Sequence, residues 1–170
     1  MTTVRQRSHP YTTDLGTPPL DDIDRRIVTE LVNGARMSNR QLADRIGVAP
    51  STALVRTQAL LDRGVITGFS ADIDLSSIGR PVQALVAVRL GAHNRNQIRA
   101  FAAHTSQLPA VVATFHTAGS RDYLFHVALP TTTALRDWVL DNLTMNEAVH
   151  HVETTLVFTH VAGNPAMLPE

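Results

Sequence analysis

Residues 38–63, SNRQLADRIGVAPSTALVRTQALLDR, decide how the first half of this chain is read. Ser38 followed three residues later by Gln41 makes a capping box, in which the hydroxyl and the carboxamide oxygen each accept from a backbone amide left open at a helix start. Leu42, Ala43 and Ile46 form a short apolar stripe, and Gly47 stops the helix after barely two turns. Ala49-Pro50 begins another, because proline tolerates the first helical turn, and Ala53, Thr57 and Leu60 share a face before Gly64. A two-turn helix, a Gly-Val-Ala connection and a longer helix make a helix-turn-helix, whose second helix enters a DNA groove while the first braces it.

Upstream, Asp21, Asp22 and Asp24 place negative charge at the start of another helix, Ile23, Ile27 and Leu31 form its stripe, and Asn33-Gly34 ends it. Downstream, residues 65–69 and 71–74 alternate at period two around a small turn, the pattern of a wing, and 76–81 reads as a connection. Val82–Leu90 then reads as a strand, Arg95–His104 as a helix, Ala110–Thr117 and Asp122–Leu129 as strands, Leu135–Leu143 as a helix and Val149–Val161 as a strand. The expected class is α+β: a winged helix-turn-helix domain over 20–69, a hinge over 70–81, and a ferredoxin-like βαββαβ domain over 82–170 for effector binding and oligomerisation. Residues 1–19, with Pro10, Gly16, Pro18 and Pro19, read as a mobile arm.

The chain has 170 residues, 44% of them hydrophobic, with zero formal charge, which excludes a disordered chain and one that coats DNA by bulk electrostatics. It has no cysteine, so neither disulfides nor Cys-ligated metal centres are available, and a cytoplasmic location is expected. All fifteen basic residues are arginine, whose planar fork suits phosphates and base edges, although a GC-rich coding sequence gives the same bias. No apolar run approaches the roughly 20 residues of a spanning helix, so no membrane contact is expected. Val82–Val88 and Leu124–Leu129 are nearly continuously apolar where a half-exposed strand should alternate. The sheet face carrying Val86 and Val88 or their neighbours is therefore expected to pair with a second copy.

With these segments laid out, Leu20–Gly79 closely resembles the N-terminal half of the Lrp/AsnC, or feast/famine, transcriptional regulators. The residues that carry this are LDDIDRRIVTELVNGARMSNRQLADRIGVAPST at 20–52, Leu60, RGVITGF at 63–69 and SSIG at 76–79. GSRDY at 119–123 and VETTLV at 152–157 resemble the same family's regulatory domain. The resemblance implies a homodimer with paired reading helices on double-stranded DNA, often built into tetramers or octamers, and amino acids or related metabolites as effectors.

Ser38, Asn39 and Arg40 open the bracing helix, where short polar side chains and open amides suit a phosphate; ordinary capping is the plainer role for Ser38. In the reading helix, Val55 or Thr52 can touch a thymine methyl, and Ser51 or Gln58 can bond a base edge. Arg56 matches the arginine the family places here, but lies nearer the buried side than Val55, which leaves a DNA contact and an ion pair with an acid such as Asp24 equally open. Members commonly carry more cations in this helix than Arg56 and Arg63.

For the effector, Gly119 permits close backbone approach to a carboxylate and Asp122 accepts from an ammonium, whereas both can equally be hairpin residues. Ser120 and Arg121 belong to the same motif, with Arg121 as an alternative carboxylate holder, and Thr154 matches a family position on the last strand. No histidine spacing, catalytic triad or glycine-rich phosphate loop points to a metal, a cofactor or catalysis. Two alternatives stay open: a ligand-independent architectural DNA-binding oligomer, and an enzyme like the tetrapyrrole-processing decarboxylases that resemble this family in both domains.

Overall fold

The computed structural model describes residues 19–91, 95–105, 108–161 and 163. They form two compact units, one holding the helices up to Asp72 and one running from Ile73 to Val161. The expected arm, 1–19, lies outside the described residues except for Pro19.

The first unit is α1 (Asp22–Asn33), α2 (Asn39–Ile46) and α3 (Pro50–Asp62). Asp21 caps α1 by accepting from the Asp24 amide at 2.8 Å. The Ser38–Gln41 box is complete: the Ser38 amide donates to Gln41 Oε1 at 2.8 Å and the Gln41 amide donates to Ser38 Oγ at 3.3 Å. Gly47 closes α2 at φ 73°, a backbone angle a side chain would strain. Ile27, Leu42, Ala43, Ile46, Ala53 and Leu60 make the core, with Val65 and Ile66 packed against it. Residues 65–74 form no strand, contrary to their alternation. Val65 and Ile66 turn into the helical core while residues 69–74 are exposed, so one half of the expected hairpin has no buried face to hold it.

The second unit contains β1 (Val82–Leu90), α4 (Arg95–Thr105), β2 (Val111–His116), β3 (Tyr123–Leu129), α5 (Thr132–Val139) and β4 (Val149–Val157). The strands are antiparallel in the order β2-β3-β1-β4, the ferredoxin-like arrangement. Phe101 of α4 and Leu135 and Trp138 of α5 share one core with Ala84, Val86, Val88, Tyr123, Phe125 and Val127, so both helices cover the same sheet face. Trp138 donates its indole N–H to the Pro109 carbonyl at 2.7 Å, which seats the ring without leaving a polar atom unpaired. α5 starts earlier than its periodicity indicates because Thr131 caps it, and Leu140–Thr144 widens into a π-helical turn that keeps Leu143 buried. β4 ends at Val157 rather than Val161: its last partner is Gln83, and Pro81, just before β1, has no amide to continue the ladder.

Val86 and Val88 are fully buried under the helices, so the free sheet face is the one carrying Leu85, Ala87, Leu124 and His126. The expectation allowed Val86 and Val88 or their neighbours, and the strand alternation selects the neighbours, which lie on the opposite face. Among the described residues no helix is long and apolar enough to cross a membrane.

Val86→Asp should destabilise this unit by more than about 3 kcal/mol, since it buries an unpaired carboxylate. Leu85→Asp should leave it folded. Thermal unfolding followed by circular dichroism separates the two.

Candidate DNA interface and effector site

α3 is held by the burial of Ala53 and Leu60 and, beside them, by charge. Asp24 of α1 is only 7% exposed and accepts from two arginines of the third-helix segment, Arg56 Nη1 at 3.1 Å and Arg63 Nη1 at 3.2 Å. Arg56 also donates to Asp21, the residue that caps α1. Of the two roles open to Arg56, the structure shows the ion pair. The Asp24 backbone amide, and then the Arg56 guanidinium, hold the Asp21 carboxyl below its usual range; Asp21 and Asp24 in turn raise Arg56. The sequence reading anticipated Asp24 but not Asp21 or Arg63. Arg63 was findable, since it follows Arg56 by seven residues, two helical turns along the same stripe.

With both cations drawn toward α1, the outward face of α3 carries Ser51, Thr52, Val55 and Gln58, all exposed. Gln58 donates to Asp62 at 2.8 Å, one turn further along. Asn39 donates its side-chain amide to the Pro50 carbonyl at 2.8 Å, which ties the start of α2 to the start of α3 and fixes the turn between them. Arg40 is exposed, and among the described residues none pairs with it.

In the second unit, residues 117–122 join β2 to β3. Gly119 sits at φ 149°, a region that favours glycine, and Ser120 is exposed. Asp122 staples the end of β1: its amide donates to the Val88 carbonyl at 2.9 Å and its Oδ2 accepts from the Leu90 amide at 2.7 Å. Arg121 pairs with Glu153 of β4 at 2.5 Å and lowers that carboxyl below its usual range. Thr154 is not gathered with this loop. It pairs with Val86 and so lies on the helix-covered face of the sheet, opposite to Glu153, which pairs with Ala87 and is the residue that Arg121 reaches. There it lines a groove of about 330 Å³ with Thr132, Leu135, Arg136, Val139, Leu140 and Leu156. Sequence reasoning missed this groove because α5 and the edge strand β4 meet only in the fold. Among the described residues no group of three or more His, Asp and Glu side chains is placed to hold a metal.

A family model for the Lrp/AsnC ligand binding domain matches residues 83–167, and one for winged helix-turn-helix DNA-binding matches residues 20–67. The HTH-type transcriptional regulator AldR of Mycolicibacterium smegmatis is 41% identical over 150 residues, covering 88% of each chain. The chain belongs to the Lrp/AsnC family of transcriptional regulators. Its function is that of the family: DNA binding through the helix-turn-helix, joined to a ligand-binding domain. Another relative, the transcriptional regulator AzlB of Bacillus subtilis, is 31% identical over 82% of this chain and 89% of its own. Among solved structures, a transcriptional regulator from Neisseria meningitidis in complex with L-Met superposes with a TM-score of 0.81 at 26% identity, covering 89% of this chain and 97% of that one. AldR of Mycobacterium tuberculosis superposes with a TM-score of 0.68 at 40% identity, covering 85% and 98%.

A carboxyl whose folded pKa lies below its unfolded value contributes stability that is full above the unfolded pKa and is lost as pH falls through the folded one. Asp21 is of this kind. Carbon-detected NMR titration should therefore find the Asp21 midpoint below that of an ordinary aspartate, near 3.9, and Arg56→Ala should move it upward and shift acid unfolding of the helical unit to higher pH. An unmoved midpoint would mean that the pair is not populated in solution.

Proposed function

We propose that this protein is a homo-oligomeric transcriptional regulator whose grip on its operator is modulated by an amino acid or a related small metabolite. The observation that carries the reading is the coexistence of an outward α3 face with a second unit of the family's ligand-binding type. On this reading Ser51, Thr52, Val55 and Gln58 face the bases. Ser38, Asn39 and Arg40 sit against the backbone phosphates, and Arg56 acts by holding α3 in place. Binding of L-Met by the structural relative from Neisseria supports an amino acid as the effector class.

The effector's ammonium is assigned to Asp122, which gives one carboxylate oxygen to the Leu90 amide and has a second to offer. Gly119 and Ser120 present backbone to the ligand's carboxylate, with Arg121 beside them. Thr154 and its groove stand some distance along the sheet, so one ligand reaches both only if another copy brings its own groove to the loop. The free sheet face with Leu85, Ala87, Leu124 and His126 is the proposed dimer surface, because the described helices of this unit, α4 and α5, cover only the opposite face. Residues 70–81 connect the two functions. Within them Asp74 caps a turn by accepting from the Ser76 and Ser77 amides at 3.0 and 3.2 Å.

A thermal-shift screen of the twenty amino acids should return at least one stabilising ligand. For that ligand, Asp122→Ala should weaken binding roughly ten- to a hundredfold by calorimetry, the worth of a charge-assisted bond, while operator affinity without ligand stays near that of the unaltered protein. A flat screen would favour the ligand-independent architectural role. Unchanged ligand affinity in the variant would return Asp122 to its turn.

A further inference from the structure

Val55 is 68% exposed and Leu54 59% exposed on a helix that belongs to a DNA-binding domain. A solitary exposed aliphatic residue on a protein surface calls for no explanation. Val55 is not placed at random, however. Successive helical residues turn by about 100°, so with Ala53 and Leu60 marking the buried side, Val55 falls close to the middle of the opposite face, one turn from Ser51 and beside Gln58. The two cations of this segment are engaged by Asp21 and Asp24, and Gln58 is held by Asp62. What the outward face of α3 presents over its first two turns is therefore methyl groups and small hydroxyls, the one guanidinium of these turns, Arg56, being held at the side by Asp21 and Asp24.

In the major groove a guanine offers two acceptors, which an arginine or lysine matches best, whereas thymine offers a methyl group, which only an apolar contact matches. A face without cations cannot make that cationic contact with guanine, which leaves only the single hydrogen bonds that Ser51 and Gln58 can give. It can bury a thymine methyl against Val55, with Leu54 on its flank. We propose that Val55 is the specificity-determining residue of this regulator and that it selects thymine by its C5-methyl group, so each half-site carries A·T pairs where the middle of α3 lies. This rests on α3 being the reading helix, and it goes further by naming the base and the atom group recognised. It also assigns the salt-sensitive share of DNA affinity to residues outside α3, since α3 neutralises no phosphate.

The test uses the full-length protein and operators selected by it from a random duplex library. Each thymine of the selected half-site is replaced in turn by deoxyuridine, which removes the methyl group and leaves the pairing edge unchanged. One buried methyl corresponds to about a fourfold change in affinity. At one or two positions per half-site, uracil should weaken binding roughly three- to tenfold, and Val55→Ala should lose about as much on the thymine duplex and no longer distinguish thymine from uracil. Equal binding of thymine and uracil duplexes, discrimination that survives in Val55→Ala, or a selection that enriches no sequence would each overturn the proposal. Ser51→Ala and Gln58→Ala, titrated alongside, separate the two levels. If they weaken binding while uracil does not, the methyl reading alone falls; if they and Val55→Ala all bind like the unaltered protein, α3 is not the reading helix.

Discussion

Asp24 carries one negative charge into the helical core, and the rest of the DNA-binding unit is arranged around that cost. A buried carboxylate must be paired, and losing its partners is worth several kcal/mol. Here the partners are Arg56 and Arg63, two turns apart on the third-helix segment, with Asp21 adding a second acid to Arg56. The third helix is thereby fixed in rotation about its own axis. An uncharged face is turned outward, and the guanidiniums that composition alone would send to the phosphates are paired with Asp21 and Asp24.

The second unit obeys a different constraint, the alternation of side chains along β1 and β3. Ala84, Val86 and Val88 go under α4 and α5, so Leu85 and Ala87 must go to the other side, where the described residues of this unit supply no helix. The Gly119–Asp122 loop and the free sheet face lie outside that core, whereas the groove beside α5 is lined in part by one of its members, Leu135.

Most of the fold was legible because it rests on local rules. The Ser38–Gln41 box, the Gly47 stop and Pro50 fix two helices without reference to anything distant, and the β-α-β-β-α-β order follows from periodicity. What escaped was long-range. The alternation of residues 65–74 looks like a hairpin until Val65 and Ile66 are seen to belong to the helical core. The free side of β1 was left between Val86 and Val88 and their neighbours because a continuously apolar strand gives no phase. Arg56 was open between two roles, since a wheel places a side chain but not its partner 32 residues away. The groove around Thr154 is formed by α5 and an edge strand, and no local pattern announces it. The candidate effector residues could be named from motifs, but the separation of Thr154 from the loop required the strand register.

The central claim is that Arg56 serves the protein and not the phosphates, and the salt dependence of operator binding tests it most directly. Each phosphate neutralised contributes close to one to the slope of log affinity against log salt. Arg40→Ala should lower the steepness of that slope by about one. Arg56→Ala should weaken binding while leaving the slope unchanged, because it disturbs how α3 is held. A slope that falls by about one in Arg56→Ala, with the stability of the helical unit intact, would contradict the account.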